Sequence, residues 1–106
     1  MAHRAAKLAS DIRRLVAPAL MQCPTACGIV TITRVDVSRD VAFATVYITA
    51  LEKADLALSF LERKSREIQR SFGALNIHRT PTLRFRIDEE EERANRVDAL
   101  LKNIEN

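Results

Sequence analysis

A chain of 106 residues, 47% hydrophobic and with a formal net charge of +3, has material for one modest core and too little for two. No run approaches the roughly 18 apolar residues of a membrane-spanning helix, and Met-Ala-His-Arg-Ala-Ala-Lys at the start lacks the apolar segment of a secretory signal, so a soluble cytoplasmic protein is expected. The charge is uneven: residues 1–87 hold 14 Lys/Arg against 7 Asp/Glu, whereas residues 88–106 hold 3 against 7. A basic body with an acidic tail favours polyanionic partners, nucleic acid first.

From about Arg4 to Met21, residues Leu8, Ile12, Leu15, Val16, Ala19 and Leu20 recur at helical spacing, with Arg4, Lys7, Arg13 and Arg14 elsewhere on the wheel. Pro18 lies inside that pattern, lacks an amide donor and crowds the carbonyl of Arg14, so the helix is expected to kink or end near Ala17. Cys23-Pro24-Thr25-Ala26-Cys27-Gly28 then reads as a turn. Two cysteines without nearby histidines fall short of a zinc site, which leaves reduced thiols or a redox pair.

Ile29 to Thr49 holds two runs rich in Val, Ile, Thr and aromatics, interrupted at Ser38-Arg39-Asp40. This predicts a β-hairpin. In its second arm Ala42, Ala44, Val46 and Ile48 share one face, and Val41, Phe43, Thr45, Tyr47 and Thr49 the other. The small aliphatic face suits a covering helix. Arg34 in the first arm is not assignable, because both faces of that arm carry apolar residues.

Lys53 to Leu75 reads as helix, with Leu56, Phe60, Leu61, Ile68, Phe72 and Leu75 on one face and a polar waist at Glu62-Arg63-Lys64-Ser65-Arg66-Glu67. Either one long helix has a polar middle or two helices meet there. The waist is a solvated surface or a basic one that meets phosphates. Gly73 supplies a break. Arg79-Thr80-Pro81 opens a third strand, Thr82 to Ile87, whose Leu83, Phe85 and Ile87 face one side and Thr82, Arg84 and Arg86 the other. This fits a sheet covered on one face. If the strand joins the hairpin, running parallel to one of its arms, Arg84 and Arg86 share a face with Phe43 and Tyr47. That mixture suits either cross-strand packing on a wet face or a single-strand binding surface. Asp88 is placed to cap a last helix with Glu91 in a capping box, and Val97, Leu100, Leu101 and Ile104 form a stripe able to dock on the body.

The element order helix, strand, strand, helix, helix, strand, helix resembles a type II KH domain. Three stretches go further: V-D-V-S-R-D-V-A-F-A-T-V-Y-I-T at 35–49, R-T-P-T-L-R-F-R-I-D at 79–88 and A-N-R-V-D-A-L-L-K-N-I at 94–104 are similar, in order and spacing, to the signatures of bacterial ribosome-binding factor A. The resemblance implies an α+β, type II KH-like domain of order α-β-β-α-α-β-α over residues 1–106, with a three-stranded mixed sheet, helices packed on one face and a C-terminal helix over 89–106. It further implies a non-enzymatic assembly factor, monomeric when free. Such a factor binds the small (30S) ribosomal subunit and 16S rRNA, assists processing of the 5′ region of that RNA, and matters most in the cold. No cofactor, metal, small-molecule substrate or membrane is implied.

The family commonly carries Ala-x-Gly at the helix junction, where this chain has Lys64-Ser65-Arg66; the family's Asp-Pro-Arg after the first helix is Cys23-Pro24-Thr25 here. An αL conformation is costly for Arg66, so a weaker kink is expected, with added cations contacting phosphates instead. The RNA-binding residues carried onto this chain are Arg63, Lys64, Ser65, Arg66 and Arg70 around the junction, Arg39 in the hairpin turn and Arg79 before the third strand. Ser38 and Asp40 are expected to shape the turn. The competing reading is a protein-interaction or generic RNA-binding KH-like module without ribosome specificity.

Overall fold

The structure is a computed structural model that describes residues 2–72, 81–94 and 101, with side chains from Ala6 onward. Helix α1 (Ala2–Met21) leads through a short 3-10 turn (Thr25–Cys27) into strand β1 (Val30–Val37) and strand β2 (Phe43–Ala50); helix α2 (Ala54–Ser71) and strand β3 (Thr82–Ile87) follow. A last helix, α3, is seen over residues 89–94. The sheet order is β1-β2-β3, with β1 antiparallel and β3 parallel to β2. This is the α+β, mixed-sheet architecture that the sequence led us to expect.

α1 buries Leu8, Ile12, Val16 and Ala19, the apolar stripe read from the sequence. It does not end at Ala17: helical residues continue to Met21 with Pro18 inside. Ala17 and Pro18 both face solvent, so the carbonyl that loses its donor can bond water, and the penalty of an interior proline is reduced. The chain then turns at Gly28, whose φ of +67° is available to glycine at little cost; a Cβ there would lie 3.2 Å from that of Leu51.

β1 carries an irregularity that the sequence conceals. Ile32 pairs with Ile48, but the next pair is Arg34 with Tyr47, so Thr33 is an extra residue and the register shifts. The bulge inverts the alternation: Ile32, then Val35 and Val37, point to the core side, while Arg34 and Asp36 stand opposite Tyr47 and Thr45 on the other. This places Arg34 on the open face. Thr33 donates a 2.6 Å hydrogen bond from its hydroxyl to Asp88 at the start of α3.

The hairpin turn is wider than three residues. Ser38 Oγ accepts from the amides of Ala42 (3.1 Å) and Phe43 (3.0 Å) and donates to Asp40 (2.8 Å), which also accepts from Ala42 (3.2 Å). Ser38 and Asp40 therefore shape the turn, as expected. Val41 and Ala42 belong to that turn and not to the strand, and Val41 has a φ of +57°, a position rarely taken by a β-branched residue.

The polar waist is part of one uninterrupted helix through Ser71, so of the two alternatives the single helix holds over the described residues. Gly73, Leu75 and the continuation toward β3 lie outside them. α2 buries Ala57, Leu61, Ile68 and Phe72 against the sheet, a stripe centred one position away from the expected face, with Leu56 exposed and Phe60 half-buried. β3 matches its expectation in bounds and faces: Leu83 and Phe85 are buried, Arg84 and Arg86 exposed. Asp88 caps α3 by accepting from the Glu91 amide at 3.2 Å, and Glu92 reaches back to accept from the Ala50 amide at 2.9 Å. Of the expected C-terminal stripe, Leu101 is exposed; Val97, Leu100 and Ile104 lie outside the described residues.

The core is the layer between the helices and one sheet face. Ile12, Val16, Ala44, Val46, Ile48, Ala57, Leu61 and Phe72 have no exposure at all. Alanines at 44 and 57 let helix and strand backbones approach, and Phe72 fills the end of the layer.

Candidate nucleic-acid interface

Residues of α2 advance by about 100° each, which sorts the waist into four stripes. Ala57, Leu61, Ile68 and Phe72 face the sheet. Glu62, Ser65 and Gln69, at i, i+3 and i+7, flank it on the side of β3. Arg63, Arg66 and Arg70 form an exposed crest turned away from the core. Phe60, Lys64 and Glu67 occupy the remaining flank.

β3, like β1, is an edge strand of the sheet, so half its backbone polar groups have no strand partner. Gln69 meets that need at one point: its side-chain amide nitrogen donates to the Pro81 carbonyl, and its oxygen accepts from the Leu83 amide at 2.9 Å. The side chain thus mimics a short piece of paired strand and fixes α2 to β3. Above it lies a groove of about 310 Å³, walled by Glu62 and Ser65 on the helix and by Leu83, Arg84, Phe85 and Arg86 on the strand. Such an edge offers backbone donors and acceptors to a ligand, with arginines on its rim.

The structure brings only part of the expected set together. Arg63, Arg66 and Arg70 share the crest, a compact row of cations. Ser65 lies on the groove flank, half-buried, and donates to the Glu62 carbonyl at 2.7 Å. Lys64 is on the far side of the helix, 5.9 Å over the Phe60 ring and 3.3 Å from Glu67, so its charge is already engaged. Arg39 is exposed at the hairpin tip, at the end of the sheet where β3 begins, since the Thr82 amide bonds the Ala42 carbonyl there at 2.8 Å. Arg79 lies outside the described residues. Gln69 was missed in the sequence; an amide side chain directly after Ile68, beside the buried stripe, was the available sign.

On the opposite face of the sheet Arg84 and Phe43 meet, with the guanidinium carbon 3.7 Å from the ring centroid, and Arg34 lies 4.1 Å over Tyr47. Hydrogen bonding to Tyr47 holds the Arg34 guanidinium above its ordinary range, with a lesser contribution from Asp36 at 3.5 Å. The bond from Thr33 first, then the Glu91 amide, hold the Asp88 carboxyl below its ordinary value.

Other features of the molecule lie apart from this edge. A larger groove, about 530 Å³, runs between α2 and α3 beside Asp55, Glu89, Glu92 and Arg93; its acidic walls repel phosphate. Cys23 and Cys27 are free, the first bonding the Ala19 carbonyl and the buried second the Lys53 carbonyl. Burial, and then the neighbouring Cys27, push the Cys23 thiol up, opposite to what an activated thiolate needs. Among the described residues no three His, Cys, Asp or Glu side chains gather to hold a metal, and no helix is long and apolar enough to cross a membrane.

A family model for ribosome-binding factor A matches residues 4–101. The chain belongs to the ribosome-binding factor A family. It is 33% identical over 110 residues to ribosome-binding factor A of Pelobacter propionicus, an alignment covering 98% of this chain and 90% of that protein. A solution NMR structure of a Thermotoga maritima protein superposes with a TM-score of 0.63 at 30% identity, over 81% of this chain and 88% of the other. A Thermus thermophilus ribosome-binding factor A, fitted into a cryo-EM map of a 30S complex, superposes equally well, with a TM-score of 0.63 at 22% identity over 74% and 88% of the two chains. For ribosome-binding factor A, then, this chain keeps the fold while placing Lys64-Ser65-Arg66 inside a continuous helix.

Proposed function

We propose that this protein is a cytoplasmic, non-enzymatic factor that binds the small ribosomal subunit as a monomer and assists its maturation. The maturation step includes processing of the 5′ region of 16S rRNA, with the greatest need in the cold. The observation that carries this reading is the family match over nearly the whole chain; the Thermus relative fitted into a 30S complex supports the partner. Residues 1–106 act as one RNA-binding domain, α3 continuing as its C-terminal helix.

The binding element is α2 with the neighbouring strand edge. Arg63, Arg66 and Arg70 meet phosphates from the crest, Ser65 faces the groove, and Arg39 extends the basic surface toward the end of the sheet; Arg79, outside the described residues, is proposed to bind RNA with them. Lys64 contributes once it leaves Glu67, an exchange that an exposed pair allows at little cost. Each cation that neutralises a phosphate releases counterions, so affinity falls with salt.

Co-sedimentation of the purified protein with small subunits, large subunits and naked 16S RNA at two salt concentrations tests this. Binding is expected to small subunits alone. Replacing Arg63, Arg66 and Arg70 by Ala should weaken it and flatten the logarithmic salt slope by roughly 2 to 3. Equal binding to all three, abolished by salt, would reduce the protein to a generic basic RNA-binding domain. No binding to any would favour a protein partner.

A further inference from the structure

The sheet face that no helix covers carries Phe43, Thr45 and Tyr47 from β2, Arg84 and Arg86 from β3, and Arg34 and Asp36 from β1, aligned by the strand registers. Two of the arginines cap the two rings at 3.7 and 4.1 Å. The rings are four residues apart on one strand, roughly 13 Å. That spacing is too wide for one base and suited to separate ones.

Three properties define what this face can hold. Arg84 and Arg86 have no carboxylate within ion-pair distance among the described residues, so cationic charge is available on the β3 side. Phe43 is the only large apolar side chain of the face that is exposed among the described residues, at 41%; a protein partner would find no continuous apolar patch there. A guanidinium seated on an aromatic ring presents its outer plane to solvent, and such planes stack on nucleobases as aromatic rings do. Charge and flat surfaces together describe a ligand with phosphates and exposed bases.

We propose that the open sheet face is a second nucleic-acid surface, which takes single-stranded RNA by stacking bases on the Arg84–Phe43 and Arg34–Tyr47 columns while Arg86, level with Tyr47 on the neighbouring strand, meets a phosphate beside that column. The proposal rests on the RNA-binding reading above and extends it from the α2 groove to the far side of the sheet. The two surfaces are continuous, because Arg84 and Arg86 also form the rim of the groove beside α2. A strand leaving the groove can cross the edge of β3 and continue over the open face. Double-helical RNA cannot use the columns, since its bases are not presented as free planes.

The test uses the full chain, a labelled eight-nucleotide single-stranded RNA followed by fluorescence anisotropy, and photo-cross-linking of the same RNA carrying 5-iodouridine. The decisive variant is Arg34→Lys with Arg84→Lys, which keeps both charges and removes both planes. Affinity is expected to fall at least about tenfold, the equivalent of losing one stacked base, with the circular dichroism spectrum and melting temperature retained; wild-type cross-links should map to Phe43 or Tyr47. Unchanged affinity in the lysine variant, or cross-links confined to α2, would overturn the proposal. So would a wild type that binds small subunits but not the oligonucleotide, an outcome that assigns the face to a protein contact. Co-sedimentation of the same samples with small subunits keeps the two readings apart. Retained subunit binding with an unaffected lysine variant removes this surface alone, whereas oligonucleotide binding and open-face cross-links without subunit binding remove the ribosome reading and leave the surface.

Discussion

The two faces of the sheet are made from the same strands and differ in everything else. On the covered side Ala44, Val46 and Ile48 have no exposure, and Leu83 and Phe85 are nearly as deep. One residue along in each case, Phe43, Thr45, Tyr47, Arg84 and Arg86 face outward with partial or full exposure. A period of two residues thus separates side chains that hold the fold from side chains that are free to meet a ligand. Stability and binding should be separable by substitution, because the two sets share strands but few contacts.

The largest effect is expected on the covered side. Phe72→Ala removes a fully buried ring from the end of the helix–sheet layer and should cost about 3–5 kcal/mol, read by urea denaturation; a loss below 1 kcal/mol would mean that the layer is far looser than its burial indicates. Next comes the junction between the faces. Gln69→Ala leaves the Leu83 amide and the Pro81 carbonyl without their partner and should cost about 1–3 kcal/mol, the penalty for unsatisfied polar groups in a part-buried site. Arg66→Gly, which restores the glycine usual in the family, should cost about 1 kcal/mol, since the position is inside a continuous helix. A stabilising result would show that the helix at Arg66 is held under strain.

The smallest effect sits at the open end of the sheet. The folded carboxyl of Asp88 is held below its ordinary value, so its contribution is present above the ordinary carboxylate range and is lost as pH falls through the lowered native value. Asp88→Asn should therefore melt below the wild type at neutral pH, with the gap closing on acidification. A gap that stays constant with pH would mean that the hydrogen bonds from Thr33 and Glu91 do not depend on the charge.

Much of this was readable in advance, and the exceptions share a cause. β3 was legible residue by residue because Leu83-Arg84-Phe85-Arg86 alternates without interruption, and a parallel run beside one arm of the hairpin followed from the return after a helix; that the arm is β2 was not readable, because strand order depends on the pairing itself. β1 was not. The bulge at Thr33 inverts the parity midway, so a sequence that alternates correctly in each half appears apolar on both faces, and Arg34 cannot be assigned until the pairing is known. Val41 was read as strand from its β-branched side chain, yet two hydroxyl and carboxylate acceptors from Ser38 and Asp40 hold the backbone in a wide turn. In the candidate site the exposed arginines of α2 were legible as a group. Their division into crest, groove flank and far flank was not, because that depends on how the helix is rotated against the sheet, which Ala57 decides by packing closer than Leu56.

Gln69 has a consequence for the protein in the crowd of its own copies. A sheet with an exposed edge invites a second chain to add a strand, the route by which soluble domains form edge-to-edge aggregates. By filling the Pro81–Leu83 segment with a side chain that imitates a strand, α2 shortens the free edge to a stretch flanked by Arg84 and Arg86, where two apposed copies would bring like charges together. The rim proposed to attract a polyanion would therefore also oppose self-association through the β3 edge, by like-charge repulsion between copies.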